Sequence, residues 1–454
     1  MSVSNYIINF NKSIKDALIK IDKNTLGIIF IIDDFNKVIG CASDGDIRNK
    51  LINGIKLNDK ISICLNKNFI HCYNETQRED IIKLFDSNIN AIPQLNKKNE
   101  LINVLTPSDF PLANESNIIA RSKSPVRISF GGGGSDLTHY FTKSAGGAVI
   151  NSTISLYSHA TLIKNPDNKI FIFSEDLDKK LTANDLKSLI SQKNEMGLII
   201  SIIELINPKF GFELYLRSDF PIGSGLGGSA VVMSAIIGCF NEFRIDKWSK
   251  YEIAEMAYQA ERLSFKISGG WQDQYATVFG GMNFIEFKKK KNLVHPLKIE
   301  DEVLLELKEN LLLCDTCSTH DSSNIHDDQK KQLNDQETIN KLVSLNVKLT
   351  YDIRDSLLKG DLSKIGKFLD TAWNYKRKFS NKISNKRLDN IYNTALKNGA
   401  IGGKLLGAGG GGFFIFYCDP TKINDLSEKL KSLQTKIVNF DFVSNGLKSW
   451  KVRK

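Results

Sequence analysis

The chain has 454 residues, of which 41% are hydrophobic and 25% charged, as in folded globular proteins. That length is too great for one ordinary core, so we expect two or three domains. The net charge of +10 comes from scattered lysines, and the tight run at 288–291 follows a predicted strand. We therefore favour a solvated turn over a nucleic-acid patch there, and we expect no nucleic-acid partner.

No apolar run reaches the roughly 18 residues of a membrane span, and the N-terminus lacks the pattern of a signal peptide. We therefore expect a cytoplasmic protein with no membrane partner. The seven cysteines lie mostly in apolar runs, unlike those of a disulfide framework. Cys314 and Cys317 form a lone CxxC pair, for which two small residues closing a strand are favoured over a zinc site.

Residues 1–115 are predicted to form a small α/β domain that contains a tandem repeat. Strand, turn and strand occur with a neighbouring helix, and the same set recurs roughly 60 residues later. The predicted strands are 26–32, 38–42, 91–95 and 101–105, and the predicted helices are 44–53 and 74–86. The polar, non-periodic stretch 114–124 predicts a linker.

The rest of the chain is predicted to be α+β in two lobes, residues 121–295 and 296–454, because strands and helices occur in mixed order. The predicted strands are 126–130, 157–163, 212–217, 282–287 and 413–418, and the predicted helices are 231–243, 251–265, 335–358 and 423–433.

The most informative motif is PIGSGLGGSA at 221–230, which follows a predicted strand and opens a predicted helix. Glycines let several backbone N–H groups converge, and a helix N-terminus adds partial positive charge, so the segment predicts a phosphate cradle. The candidate nucleotide-binding residues are Pro221, Gly223, Ser224, Gly225, Leu226, Gly227, Gly228 and Ser229. The alternative is a glycine-rich turn in which Ser229 is an ordinary N-cap.

The same segment also satisfies the dinucleotide fingerprint GxGxxG at Gly223, Gly225 and Gly228. That fingerprint requires a second strand after the helix, whereas a second helix is predicted here, so NAD is disfavoured. A Walker A loop is excluded because no Lys-Ser or Lys-Thr closes the segment.

Two more glycine-rich segments flank this one. In RISFGGGGSD, at 127–136, a clean strand runs into four glycines and Asp136, whose carboxylate could hold sugar hydroxyls or cap a helix. In GGKLLGAGGGG, at 402–412, consecutive glycines before a strand indicate close backbone approach, either to phosphates or within a structural turn. The candidate substrate residues in these segments are Gly133, Gly134, Ser135, Asp136, Gly409 and Gly410.

Two further carboxylates suit kinase chemistry. Glu261 lies on a predicted helix, and Asp273 lies in SGGWQDQ. Phosphoryl transfer needs a carboxylate near the acceptor hydroxyl and oxygen ligands for Mg²⁺, and these two side chains could meet both needs. Either one alone would more often be a surface or capping residue.

Together, PVRISFGGGGSDL, PIGSGLGGSA and KLLGAGGGG resemble the three ordered motifs of the GHMP kinase superfamily, over about 121–454. The resemblance implies a two-lobed α+β fold with ATP between the lobes. It implies that Ser229 and Glu261 bind Mg²⁺, that Asp273 acts on the acceptor hydroxyl, and that the 221–230 loop binds phosphates. It further implies that Asp136 contacts a sugar. Arg127 stands where some members carry a lysine, and we take it with Asp273 as a candidate catalytic residue.

Within that superfamily, the segments at 269–287 and 383–414 resemble the heptose 7-phosphate kinases, and fucokinases share the GWQDQ element. The resemblance implies transfer from ATP to the anomeric hydroxyl of D-glycero-D-manno-heptose 7-phosphate, for nucleotide-activated heptose synthesis. Such a substrate needs cations at its far end, and Lys376, Arg377 and Lys378 are the candidates. His320 stands where the heptose group is expected to carry an arginine.

The alternatives are a fucokinase-like enzyme or another GHMP small-molecule kinase and, in a different class, a non-catalytic nucleotide sensor. The joint presence of Ser229, Glu261 and Asp273 argues against the sensor.

Residues 1–115 resemble a CBS-domain pair, on the strength of GCASDGDI at 40–47 and LTPSD at 105–109. The resemblance implies that Ser43 with Asp46, and Thr106 with Asp109, contact the phosphate and ribose of a regulatory nucleotide. An adenine nucleotide is therefore one expected partner of this domain. The alternative is a purely dimerising role, in which the partner is a second copy of the chain.

Overall fold

The computed structural model describes residues 3–85, 89–109, 118–144, 146–193, 196–318 and 336–453. The chain divides into two compact units, Met1–Glu115 and Ser116–Lys454.

The first unit contains two three-stranded sheets of identical topology. In each sheet a short strand pairs parallel with the middle strand, which pairs antiparallel with the third. The strands are Ile7–Asn9, Ile28–Ile32 and Val38–Ser43 in one sheet, and Cys72–Tyr73, Ile92–Leu95 and Leu101–Leu105 in the other. The α-helices are Ile14–Asn24, Asp44–Ile52 and Arg78–Phe85. The duplication predicted from the sequence is therefore present.

The second unit is built on an eight-stranded, mostly antiparallel sheet. Its strands, in spatial order, are Lys179–Ala183, Ile170–Ser174, Phe212–Ser218, Gly147–Lys164, Met282–Lys288 and Lys291–Pro296. Off this path, the strand Ile118–Gly131 pairs with Gly147–Lys164 and with Lys448–Arg453. The run 288–291 forms the exposed turn of a hairpin in this sheet, as predicted.

A second, four-stranded antiparallel sheet completes the unit, in the order Ala400–Leu405, Phe413–Cys418, Leu311–Asp315 and Lys436–Val438. The described α-helices are Thr138–Phe141, Leu186–Ser191, Gly197–Ile206, Gly228–Asn241, Lys250–Tyr258, Gln272–Phe279, Asp301–Glu309, Gln336–Leu358, Ile365–Lys376, Lys386–Lys397 and Ile423–Lys431. Apolar side chains of both sheets and their helices share two large buried clusters. The mixed α+β class is as predicted.

The predicted linker at 114–124 is wrong over 118–124, and its first residues, 114–117, lie outside the described residues. Residues 118–124 begin the long strand Ile118–Gly131, and their outer edge is covered by Lys448–Arg453. That last strand reads KSWKVR and lacks a buried face, so its own sequence does not mark it as a strand. Its position in the larger sheet also joins the end of the chain to the first predicted lobe.

All seven cysteines are free thiols, and six of them are buried. Cys314 lies in the strand Leu311–Asp315, as predicted, and Cys317 is exposed just beyond it. In the described ranges no helix is both long and apolar enough to cross a bilayer.

Candidate active site

The 221–230 segment, here called the phosphate loop, joins the strand Phe212–Ser218 to the helix Gly228–Asn241. Gly223, Gly225 and Gly227 adopt left-handed conformations, with φ of 75°, 73° and 82°. Gly227 is the N-cap of the helix, and no side chain caps it. The alternative in which Ser229 is the N-cap is therefore wrong, and backbone N–H groups at this helix start are suited to an anion.

Arg127 connects the phosphate loop to Asp273. Its guanidinium is almost fully buried and donates through Nε and Nη2 to Asp273 Oδ1, at 2.8 and 2.6 Å. Its Nη1 donates to the carbonyl of Gly225 at 2.7 Å. A Cβ atom added at Gly227 would lie 3.3 Å from Asp273 Cγ, so the carboxylate stands directly beside the loop.

Glu261 lies at the same end of the helix Gly228–Asn241. The sequence predicts a helix at 251–265. In the structure the α-helix ends at Tyr258, and the chain continues as the π-helical turn Gln259–Ser264, which presents Glu261 inward. Its carboxylate accepts hydrogen bonds from Gln274 Nε2, at 2.6 Å, and from the Ser229 hydroxyl. Burial raises the pKa of Glu261, and the nearby charge of Asp273 adds to the effect. Ser229, Glu261 and Asp273 are thus brought together.

Asp136 is buried beside this cluster. Its Oδ1 accepts the N–H of Gly134 at 3.1 Å, and its Oδ2 accepts the N–H of Gln272 at 3.2 Å, at the start of the helix Gln272–Phe279. The capping alternative is therefore observed, on a helix distant in sequence. Burial raises the pKa of Asp136, and the charge of Asp273 adds to this.

The other candidates of the first glycine segment differ in what they offer a ligand. The Ser135 hydroxyl is fully buried and lies within hydrogen-bond distance of the carbonyls of Gly132 and Ala148, to either of which it can donate its proton. Gly133 has open space where a side chain would be, and its carbonyl accepts from Asn346 Nδ2 at 3.1 Å. Ser135 therefore shapes the turn, whereas Gly133 and Gly134 border Asp136.

The third glycine segment, 407–412, packs on the phosphate loop. A Cβ atom at Gly407 would lie 2.5 Å from Gly225 Cα, and one at Gly412 would lie 2.4 Å from the Ser224 carbonyl oxygen. The close approach predicted for these glycines is therefore made to the backbone of the loop. Gly409 and Gly410 lie against Ile383, whose carbonyl accepts the Gly410 N–H at 2.8 Å.

Two family models match the second unit: the GHMP kinases N terminal domain at residues 197–281, and the GHMP kinases C terminal domain at residues 353–434. A D-glycero-alpha-D-manno-heptose 7-phosphate kinase from Campylobacter jejuni is 36% identical over 338 residues, covering 73% of this chain and 99% of that protein. The chain belongs to the GHMP kinase family. It is a sugar kinase of that family.

Other members of the GHMP kinase family are similar at lower identity. A crystal structure of a D-glycero-D-manno-heptose 1-phosphate kinase from Bacteroides thetaiotaomicron superimposes with a TM-score of 0.60 at 28% identity, covering 74% of this chain and 100% of that one. An L-fucokinase/L-fucose-1-P guanylyltransferase from Bacteroides fragilis is 26% identical, covering 66% of this chain and 34% of that protein.

Two lysines of this GHMP kinase, Lys376 and Lys404, lie close enough to Arg127 to interact with it electrostatically. The ammonium of Lys376 donates to the carbonyls of Leu405 and Gly407, at 3.1 and 2.5 Å. Burial lowers the pKa of Lys376 well below its usual value, and the charges of Lys404 and Arg127 act in the same direction. Of its predicted companions, Arg377 donates to Asn374 and pairs with Asp389, and Lys378 is exposed. His320 lies outside the described residues.

Lys404 is the residue that the sequence analysis missed. It lies in the strand Ala400–Leu405 and is only 5% exposed. Burial and the charge of Arg127 lower its pKa to about 7. The available signal was a lysine within an otherwise apolar and glycine-rich strand, three residues before the glycines of 407–412.

The two predicted nucleotide-contacting pairs of the first unit have matching geometry. Ser43 and Asp46 form a capping box on the helix Asp44–Ile52, with the Ser43 hydroxyl donating to Asp46 at 2.7 Å. The Thr106 hydroxyl donates to Asp109 at 2.8 Å in the second repeat. Each pair therefore has a structural role at the same point of its repeat.

Replacing Gly412 by alanine is expected to disorder the phosphate loop. The φ of 90° at this position is strained for alanine by about 1–3 kcal/mol, before the contact with Ser224 is counted. We expect a lower melting temperature and at least a tenfold higher KM for ATP. Gly45→Ala is the control, because a Cβ there meets only an ordinary contact at 3.6 Å. An unchanged KM in a folded Gly412→Ala protein would contradict the packing described above.

Proposed function

We propose that this GHMP kinase transfers a phosphoryl group from ATP to the anomeric hydroxyl of D-glycero-D-manno-heptose 7-phosphate, giving the 1,7-bisphosphate in the cytoplasm. The observation that carries the proposal is the Arg127–Asp273 ion pair. The hydrogen bond from Arg127 to the Gly225 carbonyl holds this pair beside the phosphate loop. The choice of sugar is supported by the Campylobacter jejuni relative, which the chain matches over nearly its whole length.

In this proposal Asp273 receives the proton of the acceptor hydroxyl. Both donors of Arg127 act on Oδ1, and among the described residues none donates to Oδ2, which faces Gly227. One carboxylate oxygen is thereby fixed and the other is directed to the acceptor. An anomeric hydroxyl is more acidic than an ordinary alcohol, so a carboxylate is a sufficient base.

Asp136 and the backbone of Gly133 and Gly134 would position the sugar. A buried carboxylate is a strong acceptor for hydroxyls, and Asp136 is fixed by two backbone N–H groups. Gly409, Gly410 and Lys376 complete the proposed substrate side. The candidates 221–229 form the nucleotide side, where converging N–H groups would hold phosphate oxygens.

Ser229 and Glu261 would hold Mg²⁺. The residues fit the ion, since a hydroxyl and a buried carboxylate are oxygen ligands, and a cation would offset the burial that raises the pKa of Glu261. Magnesium commonly uses one or two carboxylates plus substrate phosphates, so no larger acidic cluster is required. When bound, it would neutralise charge on the phosphates.

An acceptor panel tests the proposed reaction. ATP consumption is measured with heptose 7-phosphate, the unphosphorylated heptose, fucose, galactose and mevalonate. We expect at least a 100-fold preference for heptose 7-phosphate in kcat/KM. A preference for fucose would instead make the enzyme a fucokinase, and no consumption with any acceptor would favour a non-catalytic nucleotide sensor.

We also propose that Met1–Glu115 is a CBS-domain pair that binds an adenine nucleotide, with Ser43, Asp46, Thr106 and Asp109 at its sites. The duplicated sheets and the equivalent capping pairs support this. Calorimetry of the full chain with AMP is expected to show binding that the double variant Asp46→Asn/Asp109→Asn lacks, while that variant keeps the wild-type KM for ATP. AMP binding that is equal in the variant and the wild type, or absent from both, would leave the dimerising role, which sedimentation tests as a homodimer.

A further inference from the structure

Lys404 is a buried cation without a counter-charge. In the part of the chain that the structure describes, the side chain of Lys404 makes no hydrogen bond or ion pair, although the residue is almost fully buried. An ammonium removed from water costs several kcal/mol unless it is paired. A lysine retained in such a place is therefore expected to meet a negative charge that the protein itself does not supply.

The charged groups nearest to Lys404 add to the excess of positive charge around it. The positive charge of Arg127 acts on both lysines, and the positive charge of Lys404 also acts on Lys376. Arg127 is balanced by Asp273, whereas the hydrogen bonds of the Lys376 ammonium to described residues go to two backbone carbonyls. Asp136 also acts on Lys376, so the three cations Arg127, Lys376 and Lys404 exceed the two carboxylates by one positive charge, which an anionic ligand would balance.

The backbone around these lysines places that ligand at the phosphate loop. Leu406 and Gly407 lie two and three residues after Lys404, and they are the residues that pack on Gly225. The Lys376 ammonium donates a hydrogen bond to the carbonyl of that same Gly407, and it interacts electrostatically with Asp136 and Asp273. The two ammonium groups therefore border both the nucleotide side and the acceptor side of the site.

We propose that Lys404 and Lys376 bind a phosphate dianion at this junction, and that the dianion is the terminal phosphoryl group of the nucleotide as it passes to the acceptor. The proposal rests on the proposed function, because it takes the 221–230 loop to be the nucleotide site. Point charges from lysine suit a group whose negative charge is spread over three oxygens. The lysines would thereby add to the stabilisation that the loop amides provide.

Nucleotide binding without any sugar tests the proposal independently of the acceptor. Lys404→Met keeps the length and apolar stem of the side chain and removes only the charge. We expect its affinity for the Mg²⁺ complex of AMP-PNP to fall about tenfold or more, because a charge-assisted contact is lost. Its affinity for MgADP should remain within twofold of wild type. Lys429→Met, an exposed lysine of the same unit, should match wild type throughout.

A melting curve of the free protein separates this role from a structural one. Removing a buried unpaired charge should leave the melting temperature of Lys404→Met equal to or above that of wild type, while kcat falls about 100-fold. Lys404→Gln serves as a second variant with the same expectations if the methionine variant does not fold. Equal weakening of ADP and AMP-PNP, or no weakening of either, would overturn the proposal.

A third arm addresses the other source of a phosphate dianion, which is the acceptor itself. Binding of heptose 7-phosphate to Lys404→Met is compared with binding to wild type in the absence of nucleotide. We expect less than a twofold change. A tenfold loss of affinity for heptose 7-phosphate, with AMP-PNP affinity unchanged, would show that the lysines bind the phosphate of the sugar. That result would refute the assignment of the dianion to the nucleotide. Absence of AMP-PNP binding by the wild-type protein would instead refute the proposed function.

Discussion

Asp273→Asn is expected to lower kcat by about 10²–10⁴-fold, the range that a positioned base contributes, while ATP affinity changes by no more than a few fold. The amide keeps the shape of the side chain and its contact with Gly227, but it cannot take the acceptor proton. Nucleotide contacts lie on the phosphate loop, which Arg127 still supports through the Gly225 carbonyl. Initial-rate kinetics with heptose 7-phosphate, together with calorimetry of ATP, measure both quantities.

The matched control is Asp355→Asn, which removes an exposed carboxylate on the helix Gln336–Leu358. Among the described residues, that carboxylate pairs with its neighbour Arg354 alone. Its kinetics should equal those of wild type. Turnover near the wild-type rate in Asp273→Asn would exclude this residue as the base. A parallel loss of ATP affinity would show instead that the Arg127–Asp273 pair mainly shapes the phosphate loop.

Glu261→Gln is expected to reduce kcat/KM by about 100-fold or more, because one of the two proposed Mg²⁺ ligands loses its charge. The defect should be partly relieved by raising the Mg²⁺ concentration, and Mn²⁺ titration followed by electron paramagnetic resonance should show weaker binding. Glu428→Gln, on the exposed C-terminal helix, is the control. Unchanged Mn²⁺ affinity in Glu261→Gln would remove this residue from the metal site.

The same variant should remove the contribution of Glu261 to the pH dependence of stability. Burial raises the pKa of Glu261 above its ordinary value of 4.5, so the folded protein binds more protons than the unfolded chain between those two values. The contribution of Glu261 to the free energy of unfolding therefore falls as pH rises from 4.5 through the raised pKa. In metal-free buffer, we expect the melting temperature of Glu261→Gln to exceed that of wild type increasingly over that interval.

The sequence was informative wherever local chain geometry decides the outcome. The phosphate loop needs left-handed conformations that glycine adopts readily, so PIGSGLGGSA predicts both the turn and the helix start. Strands such as Leu101–Leu105 and Phe413–Cys418 were predicted with their observed bounds, since apolar runs between turn residues are local signals.

What the sequence could not provide depends on contacts between distant segments. The Arg127–Asp273 pair joins residues 146 positions apart, and the packing contact of Gly407 with Gly225 likewise joins residues that are far apart in the sequence. The buried state of Lys404 follows from that packing and not from its neighbours in sequence. The strand Lys448–Arg453 is likewise stabilised by the edge of Ile118–Gly131, which its own charged sequence does not indicate.

Phosphorus NMR of the reaction product tests the account most directly. The full chain is incubated with Mg²⁺, ATP and D-glycero-D-manno-heptose 7-phosphate, beside an Asp273→Asn sample. The account predicts ADP together with a new sugar phosphate signal that couples to the anomeric proton, while the 7-phosphate signal persists. Formation of ADP without that coupled signal, or no reaction with the wild-type protein, would contradict it.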